Sequence, residues 1–159
     1  MTSRLGFAAL LACALAVPLR AQEARYYREG RFLVHEITGV VNEPAPRVRV
    51  ETDLGSVSAI AAAAPEVRYR IRVRARGADD AATRRLLDDM QVSAALSGDR
   101  LLFRGQAMAP GAARDLVADF AIELPAAARE IEVATGAGDV SARGLPGRVS
   151  LTTRGGNIT

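Results

Sequence analysis

The chain has 159 residues, of which 49% are hydrophobic and 25% charged, so it is long and apolar enough for one domain with a real core. All 21 basic residues are arginine, and with 18 acidic residues they leave a formal net charge of +3. This near balance excludes a strong field for steering polyanions, and the single cysteine, Cys13, excludes an internal disulfide or a zinc site of several thiolates.

The first 21 residues have the layout of a secretory signal peptide. Arg4 precedes an apolar run over Leu5–Leu19. We therefore expect cleavage after Ala21 and export to the periplasm, the cell surface or the medium. Two alternatives stay open. One is an uncleaved anchor, although the run is short for a membrane span of about 20 residues; the other is a lipoprotein site at Cys13 in "LLAC".

Beyond the signal, we expect a flexible N-terminal segment over residues 22–30 and one domain over residues 31–159. The first copy of a strand pattern that recurs later in the chain is "VRVETDLGSVS", which starts at Val48. An insertion-like region follows this copy. It opens with "VRYRIRVRAR" from Val67, in which apolar residues alternate strictly with arginine. Such alternation predicts a strand with one buried face.

The arginines of this strand are the candidate site of the chain. Guanidinium groups along one face could bind phosphate or an acidic glycan through bidentate contacts. The alternative is a solvated sheet face with acidic neighbours, since opposite charges across strands stabilise a sheet by about 0.2–1 kcal/mol per pair. The candidate arginines are Arg68, Arg70, Arg72, Arg74 and Arg76. Suitable acidic partners are Glu51, Asp53, Glu123, Glu130 and Glu132.

The rest of the insertion-like region predicts one helix and three strands. Asp79 or Asp80 is a plausible N-cap for a helix of about three turns, with Leu86 and Leu87 on its apolar face. Strands over residues 91–96 and 100–104 should form a hairpin across "SGD". A further strand is expected over residues 116–124.

Two later segments repeat the first copy without a gap. They are "IEVATGAGDVS" from Ile131 and "VSLTTRGGNIT" from Val149, and all three read [VI]-x-[VL]-x-T-x-x-G-x-[VI]-[ST]. We call each eleven-residue copy a unit. Its first five positions predict a half-buried strand, its glycine a turn with positive φ, and its last residues a new strand.

The spacing of the units favours a β-solenoid, an all-β fold in which each coil pairs with the next. The last two units start 18 residues apart (149 minus 131), and "ARGLPGR" supplies a second corner between them. Val133 should then lie beside Leu151, and Thr135 beside Thr153. The alternative is an antiparallel hairpin meander whose turns happen to look alike.

The segment "IELPAAAREIEVATGAGDVSARGLPGRVSLTTRGGNIT" resembles the bacterial adhesin-like β-strand-repeat family of exported or envelope-associated proteins. With "HEITGVVNEPAPRVRVETDLGSVSAI" upstream, the resemblance covers roughly residues 31–159. It implies a fold and a location outside the cytoplasm, and it brings no catalytic residue or ligand site. Members of that family usually continue through more coils. We therefore expect that the domain is a truncated fragment, or that another chain completes its last strand, and that the open edge frays or self-associates.

Catalytic chemistry is not expected. The one histidine, His35, has no motif around it, and no cluster of ligands predicts a metal or other cofactor. We expect no nucleic-acid partner, because the sequence contains no recognisable nucleic-acid module and its start predicts export. Two functions remain: an adhesin-like module that binds an envelope glycan or protein, and a self-associating structural scaffold without a ligand of its own.

Overall fold

The computed structural model of the protein describes residues 17–18, 22–108 and 115–159. Over these residues the chain is mainly β with one helix, which confirms the predicted fold class at that level. The predicted signal peptide, with its cleavage site and Cys13, lies outside the described residues except for Val17 and Pro18. No helix in the described ranges is long and apolar enough to cross a membrane.

The elements are named in chain order. The first half of the chain contains β1 (Val17–Pro18), β2 (Gln22–Glu29), β3 (Phe32–Val41), β4 (Arg47–Thr52), β5 (Val57–Ala62), β6 (Val67–Ala75) and α1 (Asp80–Asp88). The second half contains β7 (Met90–Ser97), β8 (Arg100–Ala107), β9 (Leu116–Pro125), β10 (Glu130–Thr135), β11 (Val140–Arg143) and β12 (Arg148–Thr153).

The strands form two six-stranded sheets that share one core. Sheet A has the order β1-β7-β8-β4-β10-β12, and sheet B has the order β11-β5-β9-β6-β3-β2. In the central strands of both sheets, alternate residues point between the sheets, as the period of 2 predicts. Tyr69 of sheet B meets Phe103 of sheet A edge to face, with ring centroids 5.0 Å apart. One buried cluster therefore joins the inner faces of both sheets.

Each unit contributes to both sheets and turns between them at its glycine. In the first unit β4 lies in sheet A and β5 in sheet B, and in the second unit β10 and β11 do the same. In the third unit β12 lies in sheet A, and Ile158 forms a parallel bridge with Val140. The glycine turn is thus the corner at which the chain passes from one sheet to the other.

The units pair in parallel and in the register that the sequence alignment predicts. Val133 lies between Val50 and Leu151, and Thr135 lies between Thr52 and Thr153. Strands β5 and β11 are also parallel, with Val57 opposite Val140. The alternative of an antiparallel hairpin meander is therefore wrong for these units.

The insertion-like region supplies the neighbour on the other side of the first unit. Strand β8 is parallel to β4, with Leu101 opposite Val48, and β9 is parallel to β5, with Phe120 opposite Val57. Strands β7 and β8 form the expected hairpin around Gly98, which has a φ of 60°. The region is therefore part of the same two sheets.

Residues 22–30 are not the flexible segment that the sequence suggested. Residues 22–29 form β2, which pairs antiparallel with β3 after a turn at Gly30, where φ is 59°. Strand β2 is an edge strand with both faces largely exposed. It therefore lacks the apolar alternation by which a strand is recognised in a sequence.

The helix begins as expected. The Asp79 side chain accepts a hydrogen bond from the Ala82 amide at 2.7 Å, which makes Asp79 the N-cap. Thr83 and Leu87 are the buried residues of the helix, whereas Leu86 is half-buried. The helix packs mainly against β6 and closes the end of the core beside β7.

Candidate binding surface

The candidate arginines lie on the outer face of sheet B. The apolar residues that alternate with them in β6 are buried, so the backbone directs every other side chain away from the core. Arg68 and Arg70 are exposed, Arg72 and Arg74 are half-buried, and Arg76 follows the end of the strand. The four arginines of β6 therefore share one face of the strand.

Carboxylates cover most of this surface. Four of the five arginines have a carboxylate oxygen within 3.3 Å of a guanidinium nitrogen. The pairs are Arg68 with Glu66 at 2.5 Å, Arg72 with Glu29 at 2.6 Å, Arg74 with Asp119 at 2.6 Å, and Arg76 with Asp115 at 3.3 Å. The surface therefore carries both positive and negative side chains, most of them in ion pairs.

Carboxylate pairing was expected, but the partners differ from those suggested. Glu51 and Glu132 both bind Arg49 on the outer face of sheet A, which is the opposite side of the molecule from the arginine strand. Glu123 lies beside Arg68 in register, yet Arg68 binds Glu66. Sequence patterns show which residues point outward, but they do not assign a strand to a sheet.

Arg70 is the exception among the five. Within the described ranges no carboxylate oxygen lies within 4.0 Å of its guanidinium nitrogens, since no ion pair includes it. It lines a shallow groove of about 400 Å³ together with Thr38, Ser58 and Glu123. This groove is the one part of the predicted face where an arginine remains available to an anion.

Glu36 lies at the centre of these ion pairs, and no sequence pattern indicated its role. Only 5% of the residue is exposed, although it points to the outer face of β3. It accepts hydrogen bonds from Arg25 at 2.9 Å and Tyr27 at 3.0 Å, and Arg72 lies 3.6 Å away. The pairing of β2 with β3 brings these donors together, so only the tertiary register reveals the site.

Burial alone would raise the pKa of Glu36, because it removes water from the charged form. The hydrogen bonds from Arg25 and Tyr27, with the charges of Arg25 and Arg70, outweigh that effect. The pKa of Glu36 therefore lies below its ordinary value, and the carboxylate stays charged. Such a buried and fully bonded carboxylate holds β2 onto the sheet.

His35 lies in a cleft of about 570 Å³ between the inner face of β3 and strand β7. Its ring stacks on Tyr26, with centroids 4.3 Å apart and planes 4° apart, and Arg84 covers the Tyr26 ring at 4.9 Å. Burial lowers the pKa of His35, and the nearby charge of Asp88 opposes that shift in part. The imidazole is thus held as a neutral packing group.

A regular set of hydrogen bonds links the glycine corners of neighbouring units. The Thr135 hydroxyl donates to the Gly55 carbonyl oxygen at 3.0 Å, and the Thr153 hydroxyl donates to the Gly138 carbonyl oxygen at 2.9 Å. Each threonine therefore binds the glycine of the preceding unit. In the first unit the Thr52 hydroxyl instead donates to the Leu54 carbonyl oxygen of its own unit, at 2.8 Å.

The residue that follows each corner glycine also takes part in these hydrogen bonds. The Asp139 amide donates to the Ser56 hydroxyl at 3.3 Å, and the Asn157 amide donates to the Asp139 carboxylate at 2.8 Å. On the other side of the first unit, the Ser56 amide donates to Asp119. We call this set of contacts the corner ladder; its members are Asp119, Ser56, Asp139 and Asn157, with Thr135 and Thr153.

The polar side chains of the corner ladder accept hydrogen bonds from main-chain amides of the neighbouring unit. In the part of the chain that the structure describes, no three His, Cys, Asp or Glu side chains cluster in a way that could hold a metal ion. Asp139 uses its carboxylate to accept the Asn157 amide.

Comparison with known proteins gives little further guidance. No family model matches the sequence, and no curated protein matches it. Among solved structures, the chain is similar to that of a "putative cell adhesion protein" from Clostridium sporogenes ATCC 15579, with a TM-score of 0.43 and 7% sequence identity. The match covers 75% of this chain and 57% of that protein. A likeness this weak does not assign the chain to a family.

Proposed function

We propose that the chain is an exported, non-catalytic protein of the bacterial envelope that acts as a structural scaffold. In this proposal the three units are part of a β-solenoid of the adhesin-like β-strand-repeat type. The observation that carries the proposal is the parallel, in-register pairing of β4, β10 and β12. Stacked units of this kind extend a rigid surface by repetition.

Most of the candidate arginines already pair with carboxylates, and this favours a structural scaffold over a binding module. A guanidinium that already binds a carboxylate must lose that contact before it can bind an anionic ligand. Arg68, Arg72, Arg74 and Arg76 each have such a contact. Their arrangement therefore suits a stable sheet surface better than a site for an acidic glycan.

The proposal that the chain is not an enzyme rests on His35. A catalytic histidine is oriented by a hydrogen-bonded partner and lies beside a nucleophile or substrate. No motif in the sequence supplies such partners for His35, and its ring stacks face to face on Tyr26 in a partly buried cleft. This geometry supports a packing role.

An adhesin-like binding function is the second candidate, and Arg70 is the observation that favours it. Its exposed guanidinium, Thr38 and Ser58 could together bind one carboxylate or sulfate group of an envelope glycan. Glu123 in the same groove would weaken the attraction. A weak, salt-sensitive site is the most that this groove would provide.

Two experiments test the proposed function. Fractionation and intact-mass measurement of the native protein should find it outside the cytoplasm with Gln22 at its N-terminus. Recovery from the cytoplasm with an intact N-terminus would contradict export.

A column of immobilised acidic glycan tests the scaffold against the binding module. Arg70→Gln removes the available guanidinium, and Arg143→Gln is a matched loss of an exposed arginine at another place on sheet B. We expect the unaltered chain and both variants to elute together at low salt. Retention that Arg70→Gln alone abolishes would contradict a scaffold without a ligand.

A further inference from the structure

Strand β2 lies at the edge of sheet B and adds no residue to the buried hydrophobic core. Among the described strands it pairs with β3 alone. Elements that bury little apolar surface open locally at a lower free energy than that of global unfolding. What keeps β2 in place is therefore its main-chain pairing with β3 and the contacts of its side chains.

Two ion pairs of β2 lie near the solvent and contribute little to its attachment. Arg28 pairs with Asp80 of α1, and Glu29 pairs with Arg72 at 2.6 Å. In each pair at least one side chain is more than half exposed. Exposed ion pairs of this kind stabilise a fold only weakly. The contacts that decide whether β2 stays attached must therefore lie elsewhere along the strand.

On the outer face, Glu36 lies between two arginines in one row. In register the row reads Arg25 of β2, Glu36 of β3 and Arg72 of β6. Arg25 and Tyr27 donate hydrogen bonds to Glu36. Arg70 adds a second positive charge on β6. A protonated Glu36 would leave Arg25 near these two guanidinium groups without the carboxylate that separates them, and their repulsion would act against the attachment of β2.

On the inner face, His35 contacts β2 through Tyr26. The two rings stack with centroids 4.3 Å apart, and Arg84 of α1 lies 4.9 Å from the centroid of the same tyrosine ring. The other charged groups of the cleft around His35 are Asp88 of α1 and Arg104 of β8, and its register partner in β6 is a valine. A protonated His35 would place a second cation beside the Tyr26 ring. Protonation would therefore weaken this contact as well.

Both residues respond to acid in the same direction. Burial lowers the pKa of His35 below its ordinary 6.5, and the charge of Asp88 opposes that shift only in part. Burial would raise the pKa of Glu36, but its hydrogen bonds from Arg25 and Tyr27 bring it below its ordinary 4.5. Each contact is therefore fully present above the ordinary pKa and is lost as the pH falls through the folded value. The inner contact should weaken first, and the outer contact should follow at lower pH.

We propose that β2 is an acid-released strap, which His35 and Glu36 hold from the two faces of β3. Protonation of His35 loosens the strap, and protonation of Glu36 releases it while the two sheets stay folded. Release leaves β3 as the edge of sheet B, with a row of free main-chain groups. This device goes beyond the scaffold function. It depends on β2, β3, β6 and α1 alone, and neither export nor the stacking of the units enters into it.

Amide hydrogen exchange read by NMR separates the strap from the sheet within one strand. Glu29 and Phe32 close a two-residue turn as a hydrogen-bonded pair. By alternation the amides of Val34 and Glu36 face β2, whereas the amide of Ile37 faces β6. In the full chain, protection at Val34 and Glu36 should fall by more than about ten-fold between about pH 7 and about pH 3.5, after correction for the intrinsic pH dependence of exchange. Protection at Ile37 should stay.

Glu36→Gln and Glu66→Gln are the matched variants. Glutamine keeps the shape of Glu36 without its charge, so the strap amides should lose protection by more than about ten-fold already at neutral pH. The Glu66 carboxylate pairs with Arg68 and, among the described residues, with none of β2, so Glu66→Gln should behave as the unaltered chain. His35→Phe keeps a ring against Tyr26 but gains no proton. It should remove the first loosening step, below pH 6.5, and leave the second.

Three results would overturn the proposal. Loss of protection at Val34, Glu36 and Ile37 at the same pH would mean that β2 leaves only when sheet B unfolds. Unchanged protection at Val34 and Glu36, in acid or in Glu36→Gln, would mean that Glu36 does not hold the strand. A first loosening step that persists in His35→Phe would exclude His35 from the strap. None of these results alters the location of the protein or its behaviour on acidic glycans.

Discussion

Replacing Thr135 by valine isolates the contact that links one unit to the next. Thr135 is 4% exposed, and its hydroxyl donates to the Gly55 carbonyl at 3.0 Å. Valine has nearly the same shape but leaves that carbonyl without its donor, at a cost of about 1–3 kcal/mol. The added methyl group offsets about 0.8 kcal/mol of this cost. We expect a loss of about 0.2–2 kcal/mol in the free energy of unfolding.

Thr153→Val is the matched control. Thr153 makes the same bond to Gly138 at 2.9 Å, but it lies in the last unit and is only half-buried. Water can replace the hydroxyl there, so the loss should be about 0.5 kcal/mol or less. In urea titrations followed by circular dichroism, Thr135→Val should lower the midpoint by up to about 1 M at an unchanged m-value. An equal or larger shift for Thr153→Val would refute the proposed role of the corner ladder.

Three further predictions concern the core, a corner glycine and pH. Phe103 is fully buried, so Phe103→Ala should reduce the free energy of unfolding by about 3–5 kcal/mol in the same urea assay; a loss below about 1 kcal/mol would contradict a shared core. Gly138→Ala places a Cβ 2.3 Å from a carbonyl oxygen, whereas Gly98→Ala meets nothing within 4 Å, so thermal unfolding should show a much larger loss for Gly138→Ala; equal losses would contradict the close approach of the corners. The pKa of Glu36 is lower in the folded chain than its ordinary 4.5, so the carboxylate stabilises the fold above pH 4.5 and loses that effect as the pH falls through the folded pKa; Glu36→Gln should flatten this acid limb, and an unchanged limb would contradict the pKa shift.

The pairing register of the units could be predicted from two independent features of the sequence. One is the alternation of buried and exposed residues along each strand, and the other is the fixed position of the corner glycine. A slip of one residue would turn Val133 to the outer face, and a slip of two that moves Val140 to the corner would bring a Cβ against the neighbouring backbone. The alignment of three sequence segments was therefore also an alignment of three strands.

The neighbour of the first unit could not be found in the same way. Strand β8 has leucine where the units have valine or isoleucine, phenylalanine where they have valine or leucine, and Gly105 where they have threonine. A Cβ on Gly105 would lie 2.8 Å from both the Phe120 ring and the Thr52 hydroxyl. The Phe120 ring thus occupies the space that a threonine side chain would take, and the repeat pattern disappears from the sequence while the pairing remains.

The sequence predicted which face of the strand carries the candidate arginines, but it did not predict their ion-pair partners. Alternation alone places Arg70 and Arg72 on the outside of a strand. Their surroundings depend on strands far apart in the sequence, since Glu29 and Glu36 reach Arg72 only through the pairing of β2, β3 and β6. Long-range strand order is what sequence patterns do not contain.

A cysteine pair tests the in-register stacking of the units most directly. Register partners on neighbouring strands lie about 4.8 Å apart at Cα, within disulfide range, whereas residues shifted by two lie about 8 Å apart. In a chain with Cys13 replaced by serine, Glu132→Cys with Ser150→Cys should oxidise readily, because these positions are register partners. Glu132→Cys with Thr152→Cys should stay reduced under the same conditions. Preferential oxidation of the shifted pair would contradict the stacking on which the fold and the proposed function depend.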